Sequence, residues 1–211
     1  MNHKKQYYEN AAKTIIKNLE KRRMKGYYCA DSESAVKKVM ELIPNGASIG
    51  WGGSVTLNET GIMDAIRNGE YKIIDRETAA TPEAYKKIYA EICGCDCFLM
   101  STNAITLDGE LVNVDGRGNR VSYLCFGPEK VIVVAGMNKV VTDVEAGIKR
   151  TRNVAAPPNT VRLGRNTPCA ITGECADCLS PDCICAQTVV TRLSMIPGRI
   201  NVILVGEELG F

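Results

Sequence analysis

The residues best suited to chemistry are the cysteines near the C-terminal end of the chain. Cys169, Cys175, Cys178 and Cys185 are separated by five, two and six residues, and Cys183 could replace the last of them. A Cys-x-x-Cys pair lets two thiolates face one centre, and two more cysteines in a loop-rich segment can complete a zinc site or hold an iron–sulfur cluster. Soft thiolates favour these metals over magnesium or calcium. Reduced thiols packed as small apolar side chains, with no metal bound, are the alternative, and the spacing does not decide among the three.

A second candidate site is a glycine-rich turn that follows a short apolar run, residues 47–50, of the length expected for a buried strand. Thr56 and Glu59 then stand at the spacing of a helix capping box, so the predicted order is strand, turn, helix. A helix N-terminus can hold an anion, and glycines let the backbone approach it closely. The pattern is neither a Walker loop nor the GxGxxG fingerprint, and a turn that only reverses the chain is the alternative. The ligand-binding residues predicted here are Gly50, Gly52, Gly53, Ser54 and Thr56.

Two further loops carry polar side chains that could face the same ligand. Asp108-Gly109 lies between apolar runs and predicts a hairpin that is unusually rich in polar residues. Residues 130–135 predict a buried strand, and the loop that follows it carries a cation. Right-handed crossovers place the loops after parallel strands along one edge of a sheet, where ligands usually bind. The ligand-binding residues predicted from these loops are Asn103, Thr106, Asp108, Asn113, Asn138 and Lys139.

Composition excludes several classes of protein. A chain of 211 residues with 45% hydrophobic and 24% charged residues is typical of a globular protein with one α/β domain. The net charge of +2 argues against nucleic-acid binding, and no apolar stretch approaches the ~20 residues that span a membrane. The only histidine, His3, lies near the terminus, which excludes most triad chemistry. The polar N-terminus is unlike an export signal, so the ten cysteines are expected in a reducing cytoplasm.

Predicted helices and strands alternate along most of the chain. The predicted helices are Lys4–Lys25, Ser32–Ile43 with Asp31 or Ser32 as N-cap, Thr56 to about Asn68, a helix capped by Thr81 with Pro82 in its first turn, Asn119–Phe126 and Thr142–Ala155. The predicted strands besides 47–50 are Tyr71–Asp75, Cys97–Ser101 and Lys130–Ala135. This alternation predicts an α/β fold with an open, mostly parallel, Rossmann-like sheet and helices on both faces.

The C-terminal quarter of the chain departs from this alternation. Pro157-Pro158 predicts the end of a helix and a boundary. We therefore expect residues 1–157 to form the α/β core and 158–186 a Cys-rich loop segment. Residues 187–211, with Pro197-Gly198 between two apolar runs, predict a C-terminal antiparallel β-hairpin that completes the same domain.

Several segments resemble the lactate-utilization (LUD) domain family. They are Gly-Trp-Gly-Gly-Ser-Val-Thr-Leu (50–57), Thr-Asn-Ala-Ile-Thr-Leu-Asp-Gly-Glu-Leu-Val-Asn (102–113), the stretch 126–139, and Thr-Pro-Cys-Ala-Ile-Thr-Gly-Glu-Cys-Ala-Asp-Cys (167–178). The family is similar to the superfamily of ribose-5-phosphate isomerase, glucosamine-6-phosphate deaminase and the CoA transferases, which implies a ligand at the strand ends. In some of those isomerases a Gly-Ala-Asp stretch supplies a catalytic aspartate. Here the stretch reads Ser101-Thr102-Asn103, and asparagine cannot act as a general base.

The resemblance implies a cytoplasmic component of the oxidation of lactate or another 2-hydroxy acid. An oxidoreductase subunit is the kind of enzyme that this implies, and the sequence does not decide whether the chain is an enzyme. It favours an iron–sulfur cluster over zinc, because lactate-utilization systems are similar to redox machinery with cluster-bearing subunits. The expected partners are a small anionic metabolite and other lactate-utilization subunits, with no nucleic acid and no membrane; a homodimer is a further expectation that the sequence leaves open. The alternatives are a transferase- or isomerase-like enzyme that binds a phosphorylated or CoA-type molecule, and a zinc-stapled structural subunit.

Overall fold

The computed structural model describes residues 3–211, and two β-sheets organise this part of the chain. The larger sheet has six parallel strands, in the spatial order β1 (Lys25–Cys29), β10 (Ile200–Val205), β7 (Lys130–Gly136), β4 (Cys97–Met100), β2 (Ser48–Trp51) and β3 (Lys72–Ile73). The smaller sheet is mixed, in the order β8 (Val140–Val141), β5 (Ala104–Thr106), β6 (Leu111–Asp115) and β9 (Gln187–Thr191). The open parallel sheet confirms the predicted α/β fold.

Helices cover both faces of the larger sheet, as predicted. They are α1 (His3–Lys21), α2 (Ser32–Leu42), α3 (Val55–Glu59), α4 (Ile62–Arg67), α5 (Pro82–Cys93), α6 (Asn119–Cys125), α7 (Val144–Arg150), α8 (Ala156–Arg162) and α9 (Pro168–Thr172). On β7, Val131 and Val133 belong to one apolar cluster with Ile15 of α1, whereas Ile132 belongs to a second with Val39 of α2. Consecutive side chains of a strand point to opposite faces, so the continuous apolar run of β7 needs cover on both sides. None of the helices in residues 3–211 has the length and apolar character needed to cross a membrane.

The first helix ends earlier than predicted, and a strand that the sequence did not predict follows it. The amides of Arg22 and Met24 both donate to the carbonyl of Leu19, and Arg23 adopts the left-handed φ of 59° that turns the chain. The segment Lys25–Cys29 then pairs with β10 at the edge of the sheet. The alternation of buried and exposed residues along β1 is weak, because Tyr27 and Tyr28 are both half-buried. The sequence pattern alone therefore does not distinguish this strand from the end of a helix.

The glycine-rich turn joins β2 to α3 as predicted, but the capping residue is different. Ser54 is the N-cap of α3, and its hydroxyl accepts from the Leu57 amide at 3.3 Å. The predicted capping box between Thr56 and Glu59 is therefore wrong. Thr56 is fully buried in the first turn of α3, so its hydroxyl can form hydrogen bonds inside the molecule instead of capping the helix. The single helix predicted from Thr56 to about Asn68 is also interrupted at Gly61. This residue has a φ of 76° and is the N-cap of α4.

The helix that was predicted to end at Pro157-Pro158 continues through both prolines. A π-helical turn, Thr151–Ala155, joins α7 to α8, and the prolines lie in the first turn of α8. The widened π turn directly before them, in which the Ala156 amide bonds to the Thr151 carbonyl, fits two residues that have no amide hydrogen to donate. The predicted helix end is therefore wrong, and the helical run reaches Arg162.

The predicted C-terminal hairpin is also wrong, although both of its strands exist. β9 pairs antiparallel with β6 in the smaller sheet, whereas β10 lies between β1 and β7 in the larger one. All six residues of β10 are buried, so it needs neighbours on both edges and cover on both faces. β9 has exposed residues along its length and suits the edge of a sheet. Burial, and not the turn at Pro197-Gly198, decides which sheet each strand joins.

Candidate functional site

A polar cavity of about 240 Å³ opens where β2, β4, β6 and β7 end. Its lining comes from the turn after β2, the residues after β4, the end of β6 and the loop after β7, which is the edge that the sequence predicted for a ligand site. The lining is rich in cations: Arg76, Arg120, Lys139 and Arg162. One carboxylate, Asp115, belongs to the same lining within residues 3–211. We call this space the strand-end pocket.

Lys139 stands at the inner wall of the strand-end pocket. The side chain is 4% exposed, and its Nζ lies 2.8 Å from the Thr56 hydroxyl and 3.0 Å from the Ser101 hydroxyl. Burial lowers the pKa of Lys139 from 10.5 to about 7, and the charges of Arg150 and Arg120 act in the same direction. Lys139 therefore carries a neutral amine in a substantial part of the molecules near neutral pH.

Arg120 holds the opposite wall in place. Its guanidinium pairs with the Asp115 carboxylate at 2.7 Å, and both side chains are largely buried. The other oxygen of that carboxylate accepts from the backbone amides of Arg120 and Val121, both at 3.0 Å, and so caps the start of α6. Arg120 also donates to the side-chain oxygens of Asn113 at 2.6 Å and Asn103 at 2.7 Å. These bonds fix the end of β6, the residues after β4 and α6 relative to one another.

Two of the predicted glycines make room for arginines. A Cβ atom on Gly52 would lie 3.1 Å from Cγ of Arg120, and one on Gly53 would lie 2.7 Å from Nη2 of Arg76. Both contacts are tighter than usual, so a side chain at Gly52 would shift Arg120 by a few tenths of an ångström, and one at Gly53 would move the flexible tip of Arg76. The glycine turn therefore shapes the pocket by admitting two cations.

Not all of the predicted ligand residues reach the strand-end pocket. Those that line it are Gly53, Ser54, Thr56, Asn103 and Lys139. Gly52 and Asn113 stand behind the lining, in contact with Arg120, and the buried Nδ2 of Asn113 has no hydrogen-bond partner within residues 3–211. Asn138 binds the backbone of Leu209 and of Gly210, so it holds the end of the chain instead of a ligand.

Three other predicted ligand residues lie away from the pocket. Gly50 packs beneath Ile92 of α5, where a Cβ would come within 2.9 Å of that side chain. Thr106 is buried in the hairpin and caps it by accepting from the Glu110 amide at 2.9 Å. Asp108 is at the hairpin tip, where its carbonyl accepts from the guanidinium of Arg22. The Asp108-Gly109 hairpin itself is confirmed, with Gly109 at a φ of 84°.

The predicted ligand residues do not include three residues of the lining: Arg76, Arg120 and Asp115. Arg162 belongs to a group of basic residues near Pro157-Pro158 that could attract an anion, although a solvated helix face is the commoner role of such residues. Asp115 offered the clearest signal, because it closes the polar hairpin stretch and precedes Gly116 and Gly118. Arg76 and Arg162 also line a second cavity, of about 390 Å³, on the far side of the glycine turn. The two arginines therefore stand between two adjoining spaces.

The five C-terminal cysteines line one small cavity of about 30 Å³: Cys169, Cys175, Cys178, Cys183 and Cys185. We call this space the cysteine cavity. Burial, helped by the nearby thiols of Cys183, Cys175 and Cys169, raises the pKa of Cys185 to about 12. Cys169 Sγ lies 3.3 Å from the Thr167 hydroxyl. Five soft donors around one space are a suitable set for zinc or an iron–sulfur cluster.

The thiols are close but not gathered around a single point. Within residues 3–211, no three His, Cys, Asp or Glu side chains are arranged so that they could hold one metal ion. A single zinc ion with Zn–S bonds of ~2.3 Å needs its thiolates within about 4 Å of each other, whereas a cluster offers a separate iron to each thiolate and so tolerates a wider set. The predicted metal site stays a prediction.

The cysteine cavity and the strand-end pocket are neighbours. Ile184, which lies between Cys183 and Cys185, lines both of them. Gly116 packs against the same segment, since a Cβ there would lie 3.3 Å from Cα of Ile184. One residue of the Cys-rich segment thus separates the thiols from the polar pocket.

Comparison with known proteins agrees with this architecture. The sequence model of the LUD domain family matches residues 12–205. Among solved structures, a DUF162 family protein from Deinococcus radiodurans is 12% identical with a TM-score of 0.55, and the match covers 94% of this chain and 98% of that one. Ribose 5-phosphate isomerase A from Neisseria gonorrhoeae is 15% identical with a TM-score of 0.35 over 52% of each chain. No curated protein sequence matches. The family match spans nearly the whole sequence, and the chain belongs to the LUD domain family.

Proposed function

We propose that this protein is a cytoplasmic component of 2-hydroxy acid oxidation, lactate included, that binds a small anionic metabolite in the strand-end pocket and carries an iron–sulfur cluster in the cysteine cavity. One observation supports the proposal most directly: the strand-end pocket and the cysteine cavity are adjacent, and Ile184 lines both of them. An electron leaving a bound metabolite would have a short path to thiol-ligated iron. The LUD family match is consistent with this assignment.

The strand-end pocket has the charge and size for a small carboxylate. Arg76 and Arg162 line its outer part, and Arg76 stands over Gly53 at the turn. Guanidinium groups bind carboxylates and phosphates through paired hydrogen bonds. Arg120 is less available to a ligand, because Asp115, Asn103 and Asn113 already occupy it. We therefore assign the anionic group of the metabolite to Arg76 and Arg162.

The cysteine cavity suits electron transfer to a partner. Oxidation of a 2-hydroxy acid to the 2-oxo acid releases two electrons and two protons, and a bound cluster would accept and pass on the electrons one at a time. The final acceptor is a redox centre on another lactate-utilization subunit. The exposed apolar side chains of Ile171 and Leu179, beside the thiols, are suited to contact such a subunit.

The metal part of the proposal is tested by elemental analysis. Protein purified without oxygen should contain iron and acid-labile sulfide in stoichiometric amounts, with visible absorbance from thiolate–iron charge transfer. Cys178→Ser should lose this iron, whereas Cys125→Ser, on an exposed thiol outside the cavity, should retain it. Stoichiometric zinc without iron would instead indicate a zinc-stapled structural subunit, and protein free of both metals from a cluster-competent host would contradict the proposal.

The anion part is tested by calorimetric titration with L-lactate and pyruvate. Gly53→Ala places a methyl group 2.7 Å from Arg76 Nη2, so it should displace that guanidinium and weaken binding by about tenfold, which is ~1.4 kcal/mol. Gly94→Ala is the matched control, since its Cβ would have only the Glu91 carbonyl oxygen within 4 Å, at 3.9 Å. Equal affinities for the two variants would remove Arg76 from the site.

A second candidate function is a transferase- or isomerase-like enzyme acting on a phosphorylated or CoA-type molecule. The observation that favours it is Lys139, a buried amine with a pKa of about 7 inside an anion-binding pocket. The second cavity across Arg76 and Arg162 would give a longer ligand room. Binding of coenzyme A esters or sugar phosphates in preference to lactate would support this alternative.

A further inference from the structure

The surroundings of the Lys139 amine differ from those of a lysine that forms an ion pair. Its two hydrogen-bond partners are hydroxyls, Thr56 at 2.8 Å and Ser101 at 3.0 Å, and no carboxylate pairs with it within residues 3–211. A hydroxyl can accept a bond from an amine and can also donate one to its lone pair. Here Nζ donates to both hydroxyls, and a neutral amine has two N–H groups, so it can make both bonds without being protonated.

The charges around this amine disfavour its protonated form. Arg150, from α7, and Arg120, from α6, act against the ammonium, while Glu59, from α3, acts weakly for it. Arg150 is held in place by the carbonyls of Asn138, at 3.0 Å, and Asn103, at 2.7 Å. The fold thus keeps a cation beside a lysine that already lacks an acidic partner, which is the arrangement that activates an amine as a nucleophile.

We propose that Lys139 forms a Schiff base with a carbonyl compound that bears an anionic group, the carbonyl carbon lying at Nζ and the anionic group toward Arg76 and Arg162. This covalent role goes beyond the proposed function. The proposal rests on the proposed function only in its choice of pyruvate as the first probe. Pyruvate is chosen because a 2-oxo acid is the product of 2-hydroxy acid oxidation.

The reaction balances without an added oxidant or reductant. The lone pair of Nζ attacks the carbonyl carbon to form a carbinolamine, and a proton moves from nitrogen to oxygen. The second nitrogen proton joins the oxygen as it leaves as water, and the nitrogen lone pair forms the C=N bond. Thr56 and Ser101, each within 3.0 Å of Nζ, are placed to carry the proton between nitrogen and oxygen.

Borohydride trapping tests the proposal on the full-length protein. Pyruvate and, in a separate arm, dihydroxyacetone phosphate are added at neutral pH, the imine is reduced, and intact mass and peptide mapping locate the adduct. We expect one adduct per chain at Lys139 with at least one of the probes, and the preferred probe tells whether the site takes a carboxylate or a phosphate. Lys139→Arg should abolish the adduct, because guanidinium is not a nucleophile at this pH.

Lys130→Arg is the matched control. Lys130 begins β7, the strand that leads to Lys139, and its Nζ donates to the Leu42 carbonyl at the opposite edge of the sheet. This variant should retain the full adduct. No reducible adduct with either probe, or an adduct spread over surface lysines and unchanged in Lys139→Arg, would overturn the proposal. The proposed function fails separately, through the absence of iron or of lactate binding, neither of which depends on trapping.

Discussion

The strand-end pocket and the Cys-rich segment next to it are built in opposite ways. In the pocket, buried side chains are held by strands and helices, and Arg120 alone donates to Asp115, Asn113 and Asn103. The part of the Cys-rich segment that follows α8, residues 164–186, has one short helix, α9, and the two ion pairs found there are exposed. Leu179 is fully exposed there.

This difference shows what organises each region. Folding of the α/β core is enough to place the pocket residues, because their partners are parts of the same sheets. The thiols around Ile184 lack such a frame, so we expect their arrangement to change if a metal binds in the cysteine cavity. Metal binding and local folding are commonly coupled in segments of this kind.

The largest expected effect is on the buried ion pair of the pocket wall. Asp115→Ala should lower the free energy of unfolding by about 3–5 kcal/mol, since it leaves the Arg120 charge buried without its partner. It also removes the acceptor for two amides at the start of α6. Urea denaturation followed by circular dichroism measures the change.

The Cys-rich region provides the matched variant for this measurement. Asp177 pairs with Arg152 at 2.8 Å, a distance similar to that of the buried pair, but its side chain is 78% exposed compared with 7% for Asp115. Asp177→Asn removes the charge but keeps a side chain that tolerates the φ of 48° at this position, so it should cost about 0–1 kcal/mol. Equal losses for the two variants would show that the pocket is no more preorganised than the segment.

A smaller effect, of the opposite sign, is expected at Lys139. Its pKa is 10.5 when unfolded and about 7 when folded, so below about pH 7 the native state bears the full cost of a buried charge. As pH rises from about 7 to 10.5, the native state releases its proton before the unfolded chain does, and this cost disappears. Lys139→Met should therefore stabilise the protein by up to roughly 4 kcal/mol near pH 6 and by only about 2 kcal/mol near pH 9.

Denaturation of both proteins at the two pH values measures this difference. Thr56 and Ser101 keep other acceptors, the carbonyls of Leu209 and Thr102, so loss of the amine does not leave them unpaired. A stabilisation that is equal at both pH values would mean that the pKa of Lys139 is not lowered in the folded protein. A gain in stability with loss of function is the usual relation at a strained functional site.

Local features of the fold were predictable from the sequence, since their causes lie within a few residues. Asp31 caps α2, and Thr81 with Pro82 starts α5, both as predicted. The same holds for the Asp108-Gly109 hairpin. Each depends on one side chain that accepts from a nearby amide, or on a glycine at positive φ.

Features that depend on distant partners were not predictable. β9 and β10 are near in sequence but join different sheets, because burial of β10 is settled by β1 and β7. The position of Arg120 depends on space left by Gly52, which lies on another loop. The sequence therefore indicated the strand-end edge and Lys139 on it, but it did not reveal that Arg76 and Arg120 line the same pocket.

The smallest effect on core stability, and the clearest contrast with the pocket, is expected for the thiols. Cys175→Ser combined with Cys178→Ser should change the unfolding free energy of the α/β core by less than about 1 kcal/mol, because both side chains are only partly buried and outside the sheets. If the proposed cluster is present, the same variant should lose it and become susceptible to proteolysis within 164–186. If the core instead unfolded with the segment, Ile184 would be a structural contact as well as a boundary, and the two regions would form one cooperative unit. Limited proteolysis of metal-loaded and chelator-treated wild-type protein separates these outcomes. If the two regions are independent, chelator treatment exposes residues 164–186 to cleavage while α6 and β7 remain intact.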